Sequence, residues 1–229
     1  MITESRGFQV EGKETKKYSA RELKGEQELT DYFFIMIKNN DNINRDEQQD
    51  LSLAKTLARE AVHNKHLHLF GAYEADKMVG IGQLGIIDRK GERYGYLSTL
   101  EVEPRYRGQG VAKSLTDARI KSALENGCDQ VVTEVFYDNP LGLVTKFKDG
   151  FGLTNYSFGT GLFTLSKRIN GQENFDRKNS VGELKELSLA DLDSIEDLTR
   201  KGWIGIDIRN LGDIKDNNPV NWVLIFEKS

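Results

Sequence analysis

Residues 100–115, Leu100-Glu101-Val102-Glu103-Pro104-Arg105-Tyr106-Arg107-Gly108-Gln109-Gly110-Val111-Ala112-Lys113-Ser114-Leu115, constrain this chain more than any other stretch. Thr99, Leu100 and Val102 have strand character. Pro104 stops the strand, because its φ is fixed and it has no N–H to donate. Gly108 and Gly110 allow a sharp turn with no Cβ in the way. From Val111 the apolar spacing becomes helical, through Leu115 and Ala118. A strand, a glycine loop and a helix start leave several N–H groups pointing outward at the positive end of the helix dipole. Arg105 and Arg107 add full charges. The guest such a loop suits is a phosphate or pyrophosphate. Each charge-assisted hydrogen bond contributes about 1.5–3 kcal/mol and the dipole about 0.3–1, so the donors dominate.

Three loops of this kind must be separated. A P-loop needs Gly-Lys-Ser/Thr; here Ala112 precedes Lys113-Ser114 and Arg107 stands where the earlier glycine belongs. A dinucleotide fingerprint needs a third glycine or alanine, and Lys113 holds that place. The third loop fits. Leu-x-Val-x-Pro followed by Arg107-Gly108-Gln109-Gly110-Val111-Ala112 resembles the acyl-CoA-binding segment of the GNAT superfamily of N-acetyltransferases, whose pattern Arg/Gln-x-x-Gly-x-Gly/Ala is met at Arg107, Gly110 and Ala112. The resemblance covers residues 16–169, with its specific part at 100–115 and support from 139–151. It implies an α/β (α+β) fold with a mixed, mostly antiparallel central sheet flanked by helices. It also implies acetyl-CoA as cosubstrate, held by Leu100, Val102, Arg107, Gly108, Gln109, Gly110, Val111, Ala112 and Asn139.

The order of elements agrees with a domain of this kind. Tyr18 to Leu23 reads as a first strand. Gln27 to Lys38 and Asp46 to Val62 read as helices, with Leu53, Leu57 and Ala61 at four-residue steps; Asp41 to Asn44 is a polar break and residues 1–15 are loosely ordered. Strands follow at Leu67 to Glu74, Met78 to Ile87 and Arg93 to Glu103. An antiparallel meander thus precedes the glycine loop, unlike a dinucleotide fold. Gly80, Gly82 and Gly85 weaken the middle strand, which implies close approach by another backbone or a ligand. The helix from Val111 ends near Asn126, with Gly127 as C-cap. Its apolar residues fall on two sides, which reads either as a wide core face or as a helix covered by the C-terminal segment or a second subunit. Gln130 to Phe136 is the next strand, parallel to the one before the loop. In the resembling family these two strands diverge and admit the pantetheine arm. Asn139-Pro140 caps a short helix to about Lys148, and two strands, Leu153 to Phe158 and Leu162 to Ile169, close the domain.

Residues 1–169 therefore form the acyltransferase domain, 170–180 a polar linker, and 181–229 a small C-terminal extension that reads as strand, helix, strand, strand. So short a piece cannot readily fold alone.

The chemistry expected is attack by an amine on the acetyl-CoA thioester. A protonated amine cannot attack, so a base must take a proton. Glu101, on the strand entering the loop, is the candidate, with Glu103 and Glu134 behind it. The resemblance implies a tyrosine that protonates the departing thiolate, but Lys146 holds that position here and Gly142 holds the family's small residue. Tyr137 and Tyr156 lie near in sequence; Tyr137 joins Glu101 in the expected catalytic set. The alternative function is a non-catalytic acyl-CoA-binding or interaction module.

Composition limits the partners. A net charge of −4 gives no electrostatic footprint for nucleic acid. The strongest apolar run, Phe33 to Ile37, is too short for a bilayer. The single Cys128 excludes an intrachain disulfide framework and suits a reducing cytoplasm. His63, His66 and His68 lack metal-site spacing and company, and no metal is expected. The partners expected are a small-molecule or peptide amine acceptor and a second copy of the chain in a homodimer, with neither nucleic acid nor membrane.

Overall fold

A computed structural model describes residues 18–39, 47–89, 91–171, 182–212 and 218–228. The readings for residues 1–15, for Asp41 to Asn44 and for most of the linker lie outside these. In chain order the elements are β1 (Ser19–Glu22), α1 (Glu26–Asn39), α2 (Glu47–Val62), β2 (Leu67–Glu74), β3 (Lys77–Arg89), β4 (Glu92–Val102) and a 3-10 turn (Pro104–Tyr106). Then come α3 (Val111–Glu125), β5 (Gln130–Phe136), α4 (Pro140–Lys148), β6 (Gly152–Ser157) and β7 (Leu162–Arg168). The C-terminal part supplies β8 (Leu184–Ser188), α5 (Leu192–Arg200), β9 (Trp203–Asn210) and β10 (Trp222–Lys228).

Among the described residues, ten strands join one sheet in the order β1-β2-β3-β4-β5-β7-β6-β9-β10-β8. Their pairings are antiparallel except that of β4 with β5. The mixed, mostly antiparallel sheet implied by the sequence is therefore present, and the crossover helix α3 makes its parallel pair possible.

The two faces of the sheet are covered differently. Leu69 and Ile81 pack with Leu29, Tyr32, Phe33, Ala54 and Ala58 of α1 and α2. On the other face, Val111 and Leu115 of α3 join Leu84, Leu97 and Val131 in the larger core. The α3 stripe that faces the sheet is Val111, Leu115, Arg119 and Ala123, all nearly inaccessible. A four-residue period puts an arginine in a core position. The glycines of β3 make that possible. A Cβ on Gly80 would come within 3.0 Å of Val111, and one on Gly82 within 3.1 Å of the Arg119 guanidinium. The close approach is by α3 side chains at Gly80 and Gly82 and by the Glu101 carbonyl of β4 at Gly80, also 3.0 Å away, while at Gly85 only the Tyr96 carbonyl lies as near as 4.0 Å.

The extension continues the sheet. β9 meets β6 at Leu153 and Gly205. α5 packs on β6, and β9 also packs against α4; the extension thus lies against α4 and β6. Trp203, Trp222, Leu224 and Phe226 are buried there, within the same core as the rest. At the seam, a Cβ on Gly205 would stand 2.9 Å from the Leu153 Cβ. Gly205→Ala should lower stability by about 1–3 kcal/mol, as overpacking of a close contact does; thermal denaturation checks this, and an unchanged melting temperature would show a looser seam.

Candidate active site

The two parallel strands stay paired from Tyr94 with Gln130 to Leu97 with Thr133 and then part. The Thr133 hydroxyl donates to the Leu97 carbonyl at 2.9 Å and closes the end of the ladder. Beyond it, the facing edges of β4 and β5 have lost their partner strand, so their backbone groups are left for a guest. β4 is bulged at this point: Gly82 pairs with Leu100 and Gln83 with Ser98, which leaves Thr99 over. Thr99 has φ +39°, uncommon for a β-branched residue.

Arg119 holds the bulge from below. Its guanidinium, 1% exposed, donates to the carbonyls of Gln83 at 3.2 Å, Ser98 at 3.0 Å and Thr99 at 3.4 Å, and to Leu115 at 3.2 Å. Burial brings its pKa down to about 10, so it stays charged at neutral pH. With those carbonyls turned toward α3, the bulge is fixed in one conformation. The Ser98 hydroxyl oxygen is buried beside it with no partner among the described residues.

A cleft of about 1,020 Å³ opens where the strands part. Leu100, Val102, Arg107, Ala112 and Asn139 line it, and so do Glu101 and Lys146. Val111 lies under the loop instead, 1% exposed. Gln109 is turned to the loop itself: its amide nitrogen donates to the Arg105 carbonyl at 2.7 Å and its oxygen accepts from the Tyr18 hydroxyl at 2.7 Å.

The loop is open. Gly108 has φ +72° and Gly110 φ +88°, the left-handed region that glycine enters without penalty. No atom would lie within 4 Å of a Cβ on either. Gly110 is the N-cap of α3 and has no side chain to accept from the first-turn amides. Serine or aspartate there would satisfy one of them; glycine leaves the first-turn amides without a side-chain acceptor. The Arg107 side chain, bonded to the Val102 carbonyl at 3.1 Å, stands at the mouth. The arrangement has the room, the donors and the positive charge that a pyrophosphate needs.

Asn139 caps α4 through its side-chain oxygen, which accepts from Gly142 N–H at 2.9 Å. A Cβ on Gly142 would come within 2.7 Å of the Asn139 amide nitrogen. A larger residue there would have to push the capping side chain aside.

Glu101 accepts from the Asn39 side chain at 2.6 Å, at the end of α1. Glu134 accepts from the Tyr96 hydroxyl at 2.6 Å; both line the cleft, with Phe136, which is 58% exposed. Burial, and then the Glu134 carboxylate, raise the Tyr96 pKa to about 12, so it remains a hydrogen-bond donor. Glu103 faces away, paired with Lys77 and Arg105. Tyr137 is not among the residues lining the cleft: it follows the last residue of β5 and packs near Gly161. Tyr156 is buried against Phe158 and Phe163.

The model of the acetyltransferase (GNAT) family matches residues 24–141, over half of the chain. The chain belongs to the GNAT acetyltransferase family. The family is one of acyltransferases, and acetyl-CoA is the cosubstrate of the class. Two curated relatives are N-alpha-acetyltransferases. N-alpha-acetyltransferase MAK3 of Arabidopsis thaliana is 33% identical over 82 residues, 36% of this chain and 43% of the relative. N-alpha-acetyltransferase 30 of Schizosaccharomyces pombe is 30% identical over 112 residues, 48% of this chain and 73% of the relative. The chain thus spans under half the length of the first. Among solved structures, the PaiA N-acetyltransferase of Thermoplasma acidophilum in complex with coenzyme A has a TM-score of 0.50 at 19% identity, over 66% of this chain and 98% of that one. A mutant form of the spermidine N-acetyltransferase SpeG from Vibrio cholerae reaches 0.53 at 15% identity, over 71% and 99%. At such identities these two likenesses speak for the fold.

Two features of the cleft escaped the sequence reading. Arg119 sits on an otherwise apolar stripe, and its four-residue spacing opposite Gly82 was the available signal. The Tyr96–Glu134 pair joins strands that only the parallel crossover brings side by side. Among the described residues no helix is long and apolar enough to cross a membrane.

Proposed function

We propose that the protein transfers an acetyl group from acetyl-CoA to the α-amine of a peptide, with residues 1–169 as the acyltransferase domain and 181–229 as an extension that buttresses it. The observation that carries the proposal is the cleft between β4 and β5, which has free helix-start amides at one end and two carboxylates, Glu101 and Glu134, within the same opening. In this reading Gly108, Gly110, Val111 and Ala112 offer main-chain donors to the pyrophosphate, Arg107 adds charge, and the edges of β4 and β5 that lack a partner strand, at Leu100 and Val102, take the pantetheine amides. Asn139 keeps its cap role at the cleft wall. The carboxylates attract the acceptor ammonium, and Glu101 takes a proton from it. Phe136 offers an apolar surface to the residue that follows the amine. The names of both curated relatives support an α-amine over a side-chain or polyamine nitrogen.

The test is release of thiol from acetyl-CoA with a panel of peptides, polyamines and aminoglycosides. Turnover of free peptide α-amines, lost when the peptide is N-terminally blocked, is the expected result. Turnover of polyamines alone would replace the acceptor, and saturable binding with no turnover on any amine would restore the non-catalytic module. Glu101→Gln should lower kcat at neutral pH by about a hundredfold, the usual reach of a general base, and leave the Kd for acetyl-CoA nearly unchanged. A variant with the wild-type pH–rate profile would remove Glu101 from the mechanism.

A further inference from the structure

Lys146 has no part in the chemistry assigned so far, and its setting is unusual. Only 7% of it is exposed, yet it carries an ammonium. Gly142, Thr145 and Lys146 form the face of α4 that lines the cleft, while Leu143 and Phe147 are buried in the core. No described residue forms a hydrogen bond or an ion pair with its Nζ; the Phe151 ring lies beside it, 5.6 Å from Nζ to centroid. Buried lysines are almost always paired. An unpaired one costs stability, which makes a cleft that keeps it a candidate for using its proton.

Acetyl transfer needs such a proton. When the amine nitrogen bonds to the acetyl carbon, the C–S bond breaks and its electron pair stays on sulfur. The thiolate then has to be protonated. Resting on the acetyl-transfer reading, we propose that Lys146 is the proton donor to the departing thiolate. The Nζ–H bond breaks toward sulfur, leaving neutral lysine and free thiol. Solvent then restores the ammonium, balancing the proton that the attacking amine has lost. Tyr137 is thereby replaced in the role assigned to it from sequence.

The electrostatics suit the role. Burial first, and then the Arg119 guanidinium, lower the Lys146 pKa to about 8, while Asp149 opposes this. A cysteine thiol titrates near 8.5 and the alkyl thiol of coenzyme A no lower, so proton transfer from the ammonium to the thiolate is not uphill. Glu101, Glu134, Tyr96, Arg107 and Arg119 are the other ionisable groups of the cleft. The ammonium is the active form, so kcat should be level at neutral pH and fall as pH rises through about 8.

Lys146→Met, Lys146→Tyr and Lys146→Arg test this with acetyl-CoA and a peptide amine, beside melting temperature, the Kd for acetyl-CoA and a Lys146 ¹³Cε NMR titration of the free protein. Lys146→Met should lose about a hundredfold in kcat with acetyl-CoA affinity within about twofold. Lys146→Tyr should recover at least tenfold of it, with the alkaline limb moved toward 10, the ordinary tyrosine value. Lys146→Arg should not recover, because a guanidinium keeps its proton. The NMR titration should show a midpoint near 8. Wild-type kcat in Lys146→Met, or rescue by arginine as good as by tyrosine, would overturn the donor role and leave acetyl transfer standing. So would an ordinary lysine midpoint near 10.4. If Lys146→Met fails to fold, the wild-type pH profile and the titration decide alone. Wild-type protein that binds acetyl-CoA and acetylates no amine would overturn both readings.

Discussion

Gly110→Glu should weaken acetyl-CoA binding by at least about a hundredfold. Three effects act together. Gly110 has φ +88°, where an L side chain is strained. The new side chain would project from the N-cap position, in open space now, and its carboxylate would accept from the first-turn amides that otherwise face outward. Its charge would also repel the pyrophosphate. Loss of two charge-assisted bonds at about 1.5–3 kcal/mol each already exceeds two decades in Kd. Calorimetric titration checks this. A Kd within threefold of wild type would place the pyrophosphate elsewhere and remove the basis for the loop assignment. Gly108→Ala, with φ +72° but no added charge, should fall between the two.

Arg119→Met should cost about 3–5 kcal/mol of stability, since each buried carbonyl left short of its donor costs about 1–3 kcal/mol. Methionine fills part of the space but donates nothing, so the Gln83, Ser98 and Leu115 carbonyls each lose a donor in a dry interior. For a chain of this length that is a melting temperature lower by roughly 6–20 °C. Activity should fall further than stability explains, because the Thr99 bulge would relax and the strand edges at the cleft would move. Gly82→Ala attacks the same point from the other side, placing a Cβ within 3.1 Å of the guanidinium, and its effect should not add to that of Arg119→Met, since the two share one contact. An Arg119→Met protein with the wild-type melting temperature would mean that water replaces the guanidinium without loss.

Local chemistry was legible along the chain. Pro104, Gly108 and Gly110 set the loop through φ restriction and freedom, and Asn139-Pro140 set the start of α4 through a cap that the structure shows at 2.9 Å. Periodicity located the strands and helices, including β8, α5, β9 and β10, because burying one face leaves a readable spacing. What meets across the sheet was settled only by packing in three dimensions. Tyr96 reaches Glu134 across 38 residues, Arg119 reaches Gln83 across 36, and Tyr137 packs near Gly161. Packing also set the ionisation of Lys146. In the sequence this is a lysine of ordinary pKa; on the cleft face of α4 the loss of solvent makes its charged form expensive, and no neighbour in sequence records that loss.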